Sequence, residues 1–452
     1  MQDAAGAAPA AGQNVLFDLG PAKPVPPASG PPRLRFANRE QPSFRLCALE
    51  DLIPADHQVR IVWDYVQGLD LTPLLQQIQA TEGHAGAPAI DPRILMSLWL
   101  YATLRGLGSA RELDRRCDPQ CGEVPFQWLC GEVTVNYHTL ADFRVAHGDW
   151  LDTLLTECVA TLRDEGLVDL ERAAQDGIKV RASAGASSFR RRKTLEEHLA
   201  EAQQQVQALK TELEADPGAG QRRQQQARER AARERHERIE RALTQLALVE
   251  AQKKAADKDQ ARASTTDADA RTMKMGDGGF RPAYNVQLAT DTATHIITGV
   301  DVSNSGGDQG KMAPMAHQLE ERYGQPPKEM LVDGGFAKKE DIVEVSPATT
   351  VYTPVQKSKD PERDPHTPRA DDAPPVADWR QRMATPEAKA IYKERASTAE
   401  CVNAQARNRG LQQFRVRGLV KVRAVMLWFV LAHNLVRAAA LRAQRGNEAG
   451  KG

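Results

Sequence analysis

The chain carries no excess of charge: 60 basic and 60 acidic residues cancel over 452 positions. Bulk charge therefore neither supports nor excludes a nucleic-acid partner. Cysteine is scarce, with six residues, too few for a disulfide scaffold at this length. Cys117, Cys121 and Cys130 cluster in RRCDPQCGEVPFQWLC, but their spacing is not a standard zinc pattern and a clear fourth ligand is missing. Reduced, mostly structural thiols are expected, as in a cytoplasmic protein. No basic-plus-apolar leader segment is visible. Long apolar runs are lacking as well. The most apolar stretch, Val425–Leu431, is far too short to span a bilayer and lies between Arg423 and His433, so a buried helix and no membrane partner are expected.

Charge is nevertheless unevenly placed. From Cys401 onward the basic residues include Arg407, Arg409, Arg415, Arg417, Lys421 and Arg423, and the only acid is Glu448. So one-sided a segment reads as a surface facing a polyanion. A solvated basic tail is the plainer alternative.

Composition divides the chain. Residues 1–35 are Ala, Gly and Pro rich and cannot bury enough apolar surface to order themselves. Residues 36–165 read as helical, with Asp56, Thr72, Ser109 and Asn136 or Thr139 as caps, Pro92 opening one helix and Gly106 closing it. Short helices and tight turns suit either a helix-turn-helix reader, in which Tyr137, His138 and Arg144 would face DNA, or an ordinary helical bundle. At Leu167 the pattern changes. RAAQDGIKVRAS, PAYNVQLATDT, HIITGVDVSN, EMLVDGG and TTVYTPV have the β-branched, alternating character of strands, with a helix between the third and fourth. The expectation is an α/β domain over 166–187 and 263–445, a mixed sheet with three consecutive antiparallel strands and flanking helices. Between these pieces Leu195, Leu199, Ala202, Val206, Leu209 and Leu213 alternate four and three apart, DPGAG interrupts, and Ile239, Leu243 and Leu246 resume the seam. Residues 188–262 are thus expected to form a helical hairpin with arms of about 35 Å. Residues 356–380 are a Pro- and Asp-rich linker, and 446–452 a tail.

Three acids stand out. Asp176 lies in the first strand, Asp333 ends the fourth, just before Gly334-Gly335, and Glu400 lies on a helix opened by Thr385 and Pro386 and ended near Gly410. In a mixed sheet the first and fourth strands can be neighbours, which would bring the aspartates together. Two such carboxylates repel, and a divalent cation removes that penalty. Oxygen ligands favour Mg²⁺ or Mn²⁺, and a pair of ions suits phosphodiester chemistry. On a continuous α-helix Tyr392, Ala396, Glu400, Asn403 and Arg407 would share one face, setting a carboxylate beside phosphate-binding groups. The reading requires the carboxyl groups of Asp176, Asp333 and Glu400 to converge on one cavity. Taken singly, each acid is more often structural than catalytic.

These segments resemble the DDE transposases of bacterial insertion sequences, most closely the IS1182 family of the IS4/IS5-like group. The resemblance rests on DGIKVRA (176–182), GGFRPAYNVQLATD (278–291), HIITGVDVSNSGGDQGKMAPM, DGGF (333–336), Tyr392, Arg395 and Glu400 followed by Arg407 where Lys is usual, RGLVKVRAVMLWFVLAHNL, and the FQWL and HTLADFR stretches of 85–145. It implies an RNase H-like catalytic domain behind an all-α N-terminal domain. Asp176, Asp333 and Glu400 would hold two Mg²⁺ ions. Lys179, Tyr392, Arg395, Asn403, Arg407, Arg415 and Arg417 would face DNA. It also implies double-stranded transposon ends and target DNA as partners, and a homo-oligomer on DNA. A catalytically inactive DNA-binding derivative, or a nuclease without strand transfer, would share these features.

Overall fold

In the computed structural model the described residues are 47–80, 88–215, 222–357 and 362–449. The Ala/Pro-rich start and the final residues, for which disorder and a tail are expected, lie outside them.

Seven helices lead: α1 (Gln58–Gln67), α2 (Thr72–Leu75), α3 (Pro92–Leu104), α4 (Ala110–Arg116), α5 (Val124–Cys130), α6 (Tyr137–Ala146) and α7 (Gly148–Asp164). Local chemistry sets their starts. Asp91 accepts from the Arg93 amide ahead of Pro92, Ser109 from the Glu112 amide, and Asn136 from the Thr139 amide. The expected caps Asp56 and Thr72 are replaced: the ring of His57 caps α1, and Asp70 accepts from the Thr72 amide. Cys117 and Cys130 are buried and hydrogen-bonded to each other, whereas Cys121 is exposed.

The sheet follows. Its strands are β1 (Arg172–Arg181), β4 (Arg271–Lys274), β5 (Phe280–Asp291), β6 (Ile297–Ser303), β7 (Glu329–Val332) and β8 (Thr350–Tyr352). β1 runs antiparallel to β5 and β5 to β6, while β7 is parallel to both β1 and β8. The three-strand antiparallel run is therefore present, and the first and fourth long strands are neighbours. The short β4 extends the edge of β5 beyond β6. Both faces are covered, as parallel strands require. One face packs on α10 (Met312–Tyr323), where Met315 and Leu319 press on Gly299. α11 (Lys339–Val345) and α12 (Pro374–Ala384) pack against β8, and α13 (Pro386–Arg395) lies against β1, β7 and β8. The other face meets α14 (Cys401–Asn408) and α15 (Leu419–Ala449).

α15 is central. Stretch 419–448 is long and apolar enough for a membrane span by length and composition, with mean hydropathy 1.6 over its most apolar 18 residues, although Val425–Leu431 alone is too short. Of those 18 residues 72% are instead buried in the protein. Trp428 Nε1 donates to the Arg144 carbonyl at 2.9 Å, and Asn434 clamps both main-chain groups of Ile297 in β6 at 2.8 Å. One hydrophobic core thus runs from Ile53 through the N-terminal helices and α15 to Val286 and Val300 of the sheet.

Between β1 and β4 the chain leaves the sheet through β2 (Phe189–Arg190), which pairs with β3 (Ala263–Ser264). From this small sheet project α8 (Arg192–Ala215) and α9 (Arg222–Gln252). They run antiparallel, as the pairs Arg192–Glu250 and Arg235–Glu201 require. Leu195, Ala202, Ile239, Ala242 and Leu246 form their seam. Their charged residues line its wet faces.

Candidate active site

The parallel register of β1 and β7 pairs Gln175 with Val332. One step on, it sets Asp176 beside Asp333. Asp176 Oδ1 accepts the Gly177 amide at 2.9 Å, and its Oδ2 accepts Asn403 Nδ2 at 2.8 Å. Asp333 is held by its own turn: Oδ1 accepts the Gly335 amide at 2.6 Å, and the carbonyl accepts Thr353 Oγ1 at 2.9 Å. Burial pushes the Asp176 carboxyl above its ordinary value. Arg395 pulls it back down, and Asp333 and Asp308 push it up again.

The third wall is α13 and α14, joined by a π-helical turn over Ala396–Glu400. The expected continuous helical face is broken there, because a π turn holds one residue more than an α turn and rotates everything beyond it. Before the turn, Arg395 places Nη1 3.7 Å from Asp176 Oδ1, too long for a hydrogen bond, and that nitrogen has no other partner. Tyr392 lies half-buried beside Arg395, and burial raises its phenol. After the turn, Asn403 is 5% exposed and bonded to Asp176. Glu400 itself is exposed on the π turn, and it is not among the charges that act on Asp176. Thr398 in that turn is buried with an unpartnered hydroxyl.

The structure therefore brings together Asp176, Asp333, Asn403, Arg395 and Tyr392. It does not bring Glu400 into contact with the aspartates. Among the described residues, no group of three or more His, Cys, Asp or Glu is placed to hold a metal ion. The donor chemistry fits a hard divalent cation at two of the three expected acids: Asp176 and Asp333 offer carboxylate oxygens, and the Asp333 charge raises the Asp176 carboxyl. Arg395 is the cation that faces Asp176.

The other expected DNA-facing residues lie apart from the acids. Lys179 stands opposite Asn285 on the β1 face away from Asp176. Arg407, Arg415 and Arg417 are exposed, and Arg417 Nε donates to the Ser183 carbonyl at 3.3 Å. Arg144 is a correction. It is 8% exposed, with Nη1 on the Gly108 carbonyl and the guanidinium 4.5 Å from the Trp99 ring centre, so it does not lie on an open DNA-reading surface. Tyr137 packs under Arg111, and His138 is exposed.

Asp308 was not singled out in the sequence. It accepts from Asn285 Nδ2 at 2.7 Å and from Gln287 Nε2 at 2.8 Å, on the face opposite Asp176. A Cβ on Gly177 would lie 2.5 Å from its Oδ1. The signal available was a glycine next to an acid inside a strand, which marks a close approach.

A mixed sheet in this order, with helices on both faces and Asp176 within β1 beside Asp333 just past the end of β7, is compatible with the RNase H-like class of α/β proteins. Comparison with known families is more specific. Residues 47–146 match the family model described as transposase domain (DUF772), and residues 358–439 match the one described as transposase DDE domain. These two domain matches indicate a transposase and are consistent with the IS1182 type. The second match covers Glu400 but neither Asp176 nor Asp333. No curated protein and no solved structure matches the chain.

Proposed function

We propose that the chain cuts the ends of an insertion sequence and joins them to target DNA, with Asp176, Asp333 and Glu400 as its acids. The observation that carries this reading is the side-by-side placement of Asp176 and Asp333 in a chain with a transposase DDE domain. Asp176 and Asp333 would hold divalent cations, Mg²⁺ or Mn²⁺. When bound, such ions supply Lewis-acid stabilisation of the attacking and leaving oxygens of a phosphodiester.

The chain's own residues prepare the site. The Gly177 amide and Asn403 fix the Asp176 carboxylate in one orientation, and the Gly335 amide fixes Asp333. Positions held this way need little reorganisation when charge develops. Arg395 Nη1, which has no hydrogen-bond partner, offers a donor to a phosphate oxygen brought beside Asp176. Glu400 is assigned on the resemblance and on the domain match that spans it.

The test is cleavage of cognate end DNA by the full chain in Mg²⁺ or Mn²⁺. Asp176→Asn, Asp333→Asn and Glu400→Gln should each abolish nicking and joining while retaining DNA binding. A parent protein that binds the ends yet never nicks them in either metal would overturn the reading. Full activity of Asp176→Asn would overturn the site.

A further inference from the structure

Three arginines meet in a notch whose wall contains no acid. It lies where the turn after α3 touches the turn after α14. Gly106 (φ +72°) and Gly410 (φ +79°) make that contact backbone to backbone, since a Cβ on Gly410 would lie 2.8 Å from the Gly106 carbonyl oxygen. Left-handed backbone and zero clearance both demand glycine here. The notch holds about 430 Å³ of free space, counting its open mouth, and Arg144, Arg409 and Arg415 line it.

Each arginine is short of partners. Arg144, on α6, is more than nine-tenths buried; Nη1 donates to the Gly108 carbonyl at 2.7 Å, and Nε has no partner. Arg409 Nη1 lies 3.4 Å from His433 Nδ1, its one side-chain hydrogen bond among the described residues. Arg415 is exposed and makes no hydrogen bond or ion pair among the described residues. Burial lowers the Arg144 guanidinium to about 10 and lowers Arg409 too, and no neighbouring carboxylate opposes either pull. The Gly108 carbonyl accounts for one nitrogen of Arg144 and the Trp99 ring for one face of its guanidinium, which leaves Nε. Desolvated guanidinium without a counter-charge is unfavourable, and an anion corrects it. The planar fork of arginine matches two oxygens of a phosphate.

We propose that this notch binds one phosphate group of a nucleic-acid backbone, with Arg409 and Arg415 at its mouth and Arg144 Nε at its floor. Arg407, Arg417 and Lys421 are exposed on the neighbouring acid-free segment, so a phosphate seated here has a basic track on which its strand can continue. The inference draws on the proposed function only for the source of the phosphate; it needs no catalytic role for the acids.

The experiment uses the full-length chain without metal, in two arms. In the first, inorganic phosphate replaces chloride at equal ionic strength and the thermal midpoint is read. In the second, a short duplex is titrated across a salt series. The variants are Arg415→Gln and the pair Arg409→Gln with Arg415→Gln. The exposed Arg415 keeps the test readable if the pair fails to fold. Phosphate should raise the midpoint of the parent but not of the variants, and the slope of log affinity against log salt should shrink by about one, the value for one phosphate contact. Stabilisation by phosphate with an unchanged duplex slope would overturn the nucleic-acid source. No response in either arm would overturn the notch. Asp176→Asn should keep both responses, so failure of the catalytic reading remains distinguishable.

Discussion

Asp176 and Asp333 stand abreast on adjacent parallel strands, one step past the Gln175–Val332 pair. Strands in a sheet lie about 4.8 Å apart, so the two carboxylates share one small region with Arg395 as the nearby cation.

The first prediction concerns pH. Burial, with smaller contributions from Asp333 and Asp308, raises Asp176 above its ordinary 3.8 despite Arg395. A carboxyl raised in the folded state binds more protons there than in the unfolded chain. Stability therefore falls as pH climbs from 3.8 through the folded value, and the loss is complete above it. Asp176→Asn removes that loss. In chelator, its melting midpoint should exceed the parent's near neutrality, and the gap should close as pH falls toward 3.8. A gap independent of pH would contradict this account.

Gly177 tests the opposite face. A Cβ there would meet Asp308 Oδ1 at 2.5 Å and Gln287 Nε2 at 2.7 Å. Gly177→Ala should cost about 1–3 kcal/mol in urea unfolding, as overpacking does. Adding Asp308→Ala should recover part of that loss, because contacting residues are not additive. Simple addition of the two losses would show that the clash is relieved elsewhere.

Asn434 tests the bond between α15 and β6. Its side chain both donates to and accepts from the main chain of Ile297. Asn434→Ala strands two buried backbone groups and should cost about 2–4 kcal/mol. Hydrogen exchange at the Ile297 amide should accelerate well beyond that of its neighbours in β6. Unaltered protection would mean that water replaces the clamp.

His433 should set the acid limb of the stability curve. It is buried against the His295 carbonyl at 2.9 Å, and burial lowers it from 6.5 to about 4. A depressed histidine stabilises the fold above 6.5 and loses that contribution as pH falls toward 4. The swing is about 3 kcal/mol at its fullest. His433→Gln should flatten the curve between these limits, as read by denaturant midpoints; an equally steep variant would locate the effect in another group.

Much of this fold was readable because its strands announce themselves. QDGIKV marks one strand and VDGG the end of another, and β1 and β7 do become neighbours. Ser109, Asn136 and Pro92 open the helices expected of them. The heptad seam of Leu195, Ala202, Ile239 and Leu246 forms as spaced. What escaped reading leaves no local trace. The π turn at Ala396–Glu400 adds a residue to a helix without altering its composition, so counting by fours from Tyr392 does not carry across it. Arg144 reads as a surface cation until Trp99 of α3 and Gly108 of the turn after it arrive. Asp308 enters from a loop, and its place depends on a side chain that Gly177 lacks.

The depth of α15 also bears on how the protein is made. Trp428 and Asn434 complete the core that Trp99 and Leu140 share with the N-terminal helices. A nascent chain still missing residue 419 onward leaves those early helices packed only on one another. Ribosome-bound intermediates of that length should remain open to protease, and protection should rise once residues 419–449 have emerged.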